Sequence, residues 1–308
     1  MKYFDLHCDT IGECSNNNLS LRENSLHIDL NRAKGIKSYT QVFAIWIPDE
    51  LRGIEAQAYF DKTSQYFYEQ INKNSGLISL YNSSENTPVK AILSVEGGSA
   101  CGGTIEGLYH LYEQGVRIIT LTWNAVNEIG GGAFSEGGLT PFGKVFINEA
   151  EKLGIVLDVS HLNRQSFFEF TEIAEKPFIA SHSNADIVDN KYARKRNLSE
   201  QQIQTIKERK GLIGFNFCKD FIETKSDIGI DALYKQIEYM LSLGCEDVIC
   251  FGSDYDGCSV HKDLSGIEKI PELYNELQSR GLGRKLLNKL FYENADSFFS
   301  EYNESLGR

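Results

Sequence analysis

The chain has 308 residues, 41% hydrophobic and 24% charged, with a formal net charge of −12, an ordinary globular composition with ample apolar material for a large core. The acidity argues against nucleic acid as principal partner, since phosphate backbones are held by clustered Lys and Arg and the one short basic stretch is KYARKR, ending at Arg196. Asp5, His7 and Asp9 break what would be a signal-peptide core, no run of 18 apolar residues offers a membrane span, and seven cysteines without a CxxC pair read as reduced thiols, so the expectation is a cytoplasmic protein with no membrane partner.

In chain order, eight apolar, β-branched runs have strand length: YFDLHCD, YTQVFAIWIP, VKAILSVEG, VRIITLTWN, IVLDVSH, FIASHS, LIGFNF and DVICFGSDYDG. Helical stretches lie between most of them. Glu106–Gln114 precedes VRIITLTWN; Pro141–Lys152 opens on proline and stops before Leu153–Gly154; Ser199–Lys210 opens on an N-cap serine and stops at Gly211. Strand–helix alternation repeated eight times predicts an α/β protein, a (β/α)8 TIM barrel, forming one catalytic domain over residues 1–308 with no linker.

Buried parallel strands should be almost wholly apolar. These are, until their last residues, which are His7 and Asp9, Glu96, His161, His182, and Asp254 with Asp256. Any one of them alone reads as a strand-end polar residue or a helix cap. Together they fall on five strands at the barrel end where active sites are built. Three imidazoles and two carboxylates, with a further aspartate, exceed what a single catalytic zinc takes. They predict two metals about 3.5–4 Å apart, with Glu96 giving one oxygen to each, His7 and Asp9 on one ion, and His161 and His182 on the other. Nitrogen and carboxylate donors suit Zn²⁺, with Mn²⁺ or Co²⁺ as alternatives. Cys8 lies between two ligands that point the same way, so it faces the opposite side and is excluded.

The stretches DLHCDT, SVEGG, TLTWN, DVSH, ASHSNA, RNLSE and GSDYDG span residues 5 to 257 in order. Through them the chain resembles the membrane (renal) dipeptidase family of amidohydrolase-like barrels. The resemblance implies a binuclear zinc hydrolase in which a metal-bridging hydroxide attacks the peptide carbonyl of a dipeptide. It also implies that Asp254 takes the proton and passes it to the leaving amine, and that Arg196 receives the substrate's free C-terminal carboxylate. Without the resemblance Arg196 reads equally well as part of a solvated basic turn. Asp256 is expected to shape its loop rather than to act in catalysis.

One position departs from the family. Trp123 stands where the animal enzymes carry a histidine associated with the scissile carbonyl; an indole donates one N–H and offers an apolar wall but carries no charge. Asn124 and Asn127 either supply polar substrate contacts there or are turn residues. Gly130–Gly138, GGGAFSEGG, reads as a flexible loop over the barrel mouth and lacks the Lys-Ser/Thr ending of a Walker loop. DYDG lacks the further ligands of an EF-hand, and His27, His110 and His261 lie away from strand ends. Two alternatives stay open: an amidohydrolase acting on N-acyl amino acids or other small amides, and a non-catalytic metal-holding barrel that binds a peptide or amino acid. Barrels of this kind often pair, so a homodimer is compatible with the sequence.

Overall fold

The computed structural model describes residues 1–306. Nine strands follow in chain order: β1 Lys2–Cys8, β2 Ser38–Trp46, β3 Ile78–Leu80, β4 Val89–Glu96, β5 Val116–Thr120, β6 Val156–Asp158, β7 Ile179–Ala180, β8 Leu212–Phe215 and β9 Ile249–Phe251. Eight of them close into a parallel barrel. The ladder runs β1, β2, β4, β5, β6, β7, β8, β9 and returns to β1. The ninth, β3, pairs with Val89–Ala91 below the stretch of β4 that meets β5. This short element, Ile78–Leu80, is additional to the expected eight. The expected run VRIITLTWN is also trimmed, its ladder stopping at Thr120.

The inner and outer faces of the barrel follow the two-residue period of its strands. Phe4, Leu6, Val42, Ile92, Ile118, Val156, Ile179, Leu212 and Cys250 form the interior floor, and Phe298, Phe299 and Tyr302 of the C-terminal helix Asn294–Ser305 close it from below. Phe299 stacks on Phe4 at 5.3 Å. Residues of opposite parity, such as Leu93, Val95, Ile119, Leu157 and Phe251, pack outward against the helices. Counting upward from the floor by twos, β4 passes from Ile92 through Ser94 to Glu96, and β6 from Val156 to Asp158. The apolar layer thus fixes which later residues face the mouth.

The helices begin where capping residues stand. Thr140 accepts from Gly143 N ahead of Pro141–Leu153, which closes on Gly154 at φ 74°. Ser199 and Gln202 form a reciprocal capping box ahead of Glu200–Glu208. No helix among the described residues is long and apolar enough to cross a membrane.

Candidate metal centre and active site

β1 carries the first pair of site residues, and a bulge aims them. Phe4 and Leu6 face inward, which by simple alternation would send His7 outward. The register with β2 shifts between Asp5 and Cys8, so the parity flips: Cys8 joins the outer core while His7 and Asp9 turn to the mouth. Buried Asp5 fastens this irregularity. Its Oδ1 accepts from the backbone of His7 (3.2 Å) and of Ser253 (2.9 Å), and its Oδ2 from the Tyr3 hydroxyl (3.0 Å), which ties the ends of β1 and β9 together. His161 and Asp254 reach the site by another device, left-handed backbone at φ 67° and 59°, uncommon for residues other than glycine.

Six ionisable side chains converge as a result. Glu96 Oε1 lies 2.9 Å from His161 Nε2 and 3.3 Å from His182 Nε2, while Oε2 faces His7 Nε2 at 3.7 Å. His7 Nε2 is 3.4 Å from Asp9 Oδ2 and 3.9 Å from Asp254 Oδ1. One carboxylate thus faces both halves of the cluster, His161 and His182 on one side, His7 and Asp9 on the other. The Nε2 atoms of His161 and His182 stand 2.9 Å apart. Asn124 Oδ1, an acceptor, takes His161 Nδ1–H at 3.1 Å, which leaves His161 Nε2 as a bare lone pair.

The electrostatics describe a site built for cations. Burial works to lower the His7 pKa, but Glu96, Asp9 and Asp254 outweigh it and push it up to about 10. Burial, then Arg196 and His7, hold His161 well below the usual imidazole range, and burial with its basic neighbours does the same to His182. Burial lifts the Glu96 carboxyl far above the usual carboxylate range, against the pull of His7. Buried His7 Nε2 and Asp9 Oδ1 have no hydrogen-bond partner among the described residues. Stranded donor atoms beside a crowded lone pair and carboxylate oxygens fit divalent metal ions and are costly without them. Three overlapping ligand groups emerge: His7, Asp9 and Glu96; Glu96, His161 and His182; and His7, His182 and Asp254.

A cavity of about 360 Å³ opens above these residues, lined by Asp9, Glu96, His161 and Asp254 together with Trp46, Trp123, Asn124, Phe134, Tyr192, Arg196 and Phe221. Asp254 Oδ2 accepts from Asn216 Nδ2 at 2.9 Å. Arg196 is only 5% exposed, unlike its exposed neighbours Arg194 and Lys195, so the solvated-turn reading does not describe it. Its Nη2 donates to the His182 carbonyl at 3.3 Å, its Cζ lies 5.3 Å from the Phe221 ring centroid, and its Nε has no hydrogen-bond partner among the described residues. Trp123 packs edge-on to Trp46 (4.9 Å between centroids) and stands 6.2 Å from His161.

Other residues singled out in the sequence are structural. Asn127 is a turn residue, donating to Leu121 O and accepting from the backbones of Ile129 and Gly130. Asp256 accepts from Thr10 Oγ1 (2.5 Å) and from His27 N (2.7 Å), while His27 Nδ1 accepts from Asp256 N, so this pair ties its loop. His110 lies beside Asp61, away from the mouth. The Gly130–Gly138 stretch is pinned: Gly130 bridges to Leu139 and Gly132 to Leu162, and the amide of Gly131 donates to Ser166 Oγ. Sequence reasoning passed over Asp5, Asp158 and Asn216. Their signal was available: Asp5 and Asp158 are polar residues within strands that should otherwise be apolar, and Asn216 directly follows β8.

A parallel barrel with buried imidazoles and carboxylates around one point at its C-terminal mouth defines a metal-dependent hydrolase barrel. The family model described as membrane dipeptidase (peptidase family M19) matches residues 1–304. The chain belongs to that family and is a metallopeptidase of the hydrolase class. A Klebsiella pneumoniae relative, "uncharacterized protein in pqqA 5'region", is 30% identical over 222 residues, 68% of this chain and 81% of that one. Among solved structures, a Rhodobacter sphaeroides metallo peptidase liganded with a phosphinate mimic of the dipeptide L-Ala-D-Ala superposes with TM-score 0.86 at 23% identity, over 96% of this chain and 97% of that one. The probable dipeptidase PvdM of Pseudomonas aeruginosa gives 0.84 at 17% identity, over 99% and 96%. These two likenesses establish the shared fold.

Proposed function

We propose that the chain hydrolyses the peptide bond of dipeptides bearing a free C-terminal carboxylate, at a centre of two zinc ions held by His7 and Asp9, by His161 and His182, and by Glu96 between them. One observation carries this reading: a single cavity of about 360 Å³ is lined by Asp9, Glu96 and His161 of the ligand cluster, by the Asp254 carboxylate and by a buried, incompletely partnered Arg196 guanidinium. The bound cations would polarise the carbonyl and acidify a water; manganese or cobalt would suit the same nitrogen and oxygen donors.

The chain's own residues supply the remaining chemistry. Arg196 is held by the His182 carbonyl and the Phe221 face, which orients its planar fork for a carboxylate. Asp254, lifted by burial to about 6 while His7 and Asn216 pull it back, is ionised at neutral pH. Its Oδ2 is engaged by Asn216, which leaves Oδ1 to take a proton and return it to the departing amine. Trp46 and Trp123 form an apolar wall that excludes water and takes a side chain. That wall would also accept an acyl group, which is the ground for the N-acyl amino acid alternative. We also propose a cytoplasmic location, on the ground that seven cysteines without a CxxC pair suit a reducing compartment.

The test is a panel of L–L and L–D dipeptides, their C-terminal amides and N-acyl amino acids, given to zinc-loaded protein. Free-carboxylate dipeptides should be cleaved and their amides spared, with rates rising with pH through a limb at or below pH 6, because neighbouring cations favour the ionised Asp254. Asp254→Asn should lose about 10²–10⁴-fold in kcat/KM with both metals retained. Cleavage of N-acyl amino acids alone would replace the substrate class, and metal retention without turnover of any compound would leave a binding protein.

A further inference from the structure

Below the centre lies a buried carboxylate that touches no ligand directly. Asp158 is fully buried on the inner face of β6, and four donors point at it. Its Oδ1 accepts from the backbones of Ser160 (2.9 Å) and Ser181 (2.8 Å). Its Oδ2 accepts from the hydroxyls of Thr120 and Ser181, each at 2.5 Å. The Ser181 oxygen then stands 2.7 Å from His182 Nδ1.

A serine hydroxyl has one proton. Because Ser181 gives it to an acceptor-only carboxylate, its oxygen can only receive from His182, which places the imidazole proton on Nδ1 and leaves Nε2 as a lone pair aimed at Glu96 and His161. We propose that Asp158 is a positioning residue that sets, through Ser181, the tautomer in which His182 can hold a metal ion. The inference rests on the reading of His182 as a ligand. It describes the polarity of a relay rather than a packing effect, so polarity can be reversed without changing shape.

Asp158→Asn does this, and its orientation is forced. The two backbone N–H groups at the Oδ1 position demand an acceptor there, so the amide nitrogen must occupy the Oδ2 position and donate to Thr120 and Ser181. Ser181 then turns its own proton toward His182 Nδ1, and the imidazole proton moves to Nε2. Thr120→Val is the matched control: it removes a buried hydrogen bond from the same carboxylate oxygen and leaves the relay intact.

Two readouts on the full-length chain decide the matter. Nitrogen-15 NMR of the histidine rings in metal-stripped protein should show His182 protonated at Nδ1 in the wild type and Thr120→Val, and at Nε2 in Asp158→Asn. Zinc affinity, measured by competition with a chelator, should fall about 10–100-fold in Asp158→Asn and stay within about threefold in Thr120→Val. If Asp158→Asn does not fold, Ser181→Ala should still weaken zinc binding, and Ser181→Thr, which keeps the hydroxyl, should restore it. An unchanged His182 tautomer in Asp158→Asn, or equal zinc loss in Thr120→Val, would overturn the relay. An inverted tautomer with undiminished zinc affinity would instead overturn His182 as a ligand.

Discussion

At the scale of single residues, the site depends on a close approach that only one side chain permits. A Cβ on Gly257 would lie 2.1 Å from Asp9 Oδ2 and 2.5 Å from Asp254 Oδ1, both far inside contact distance. Bare backbone at this point lets carboxylates from the ends of β1 and β9 draw together. Gly257→Ala should push one of them aside. Since a displacement of about 1 Å in a reacting group can cost about 100-fold, kcat/KM should fall by that order, and zinc per chain should drop below two. Gly257 is exposed, so the melting temperature of the metal-free variant should stay at the wild-type value. Metal analysis beside a thermal melt checks both halves. The glycine was visible at the end of GSDYDG, but its reason was not, because Asp9 is distant in sequence and meets it only when the barrel closes.

At the scale of elements, strand phase decides which residues can act. In β4 the apolar pattern is sufficient: Ile92, Ser94 and Glu96 share a face, so alternation upward from the floor carries Glu96 to the mouth. β1 shows the limit of the same rule. His7 and Asp9 do share a side, with Cys8 opposite, yet the bulge after Asp5 is what turns that side inward. The barrel floor depends on the C-terminal helix, whose Phe299 is 5% exposed and stacks on Phe4. Phe299→Ala should destabilise the protein by about 3–5 kcal/mol through lost burial and a cavity, measured by urea denaturation. It should leave kcat/KM of the folded fraction near the wild-type value, since the floor and the mouth occupy opposite ends of the barrel.

At the scale of the whole molecule, the buried charges couple folding to metal and pH. His7 has a folded pKa near 10 against an ordinary 6.5, so in metal-free protein it binds a proton that the unfolded chain has released. Stability from this source is complete below pH 6.5 and is lost as pH rises toward 10. Buried Glu96, also raised, acts with the same sign. The melting temperature of stripped protein should therefore fall as pH goes from 6.5 to 10. Metal loading should raise it and flatten that dependence, because bound cations replace the proton and add binding free energy to the folded state. Thermal melts of stripped and loaded protein across this range test the expectation; equal slopes would mean that the cluster does not hold metal.

The sequence by itself determined the alternation of strands and helices, the barrel, and the set of histidines and carboxylates at strand ends, because all of these follow from periodicity and from residue types within a single element. Tertiary structure alone decided the rest. The burial of Arg196, the holding of His161 by Asn124, the tie from Asp5 to Ser253 and the relay from Asp158 to His182 each join different strands or the loops that follow them. Such contacts exist only after the sheet has closed, and short-range pattern carries no record of which side chains that closure brings within hydrogen-bond reach.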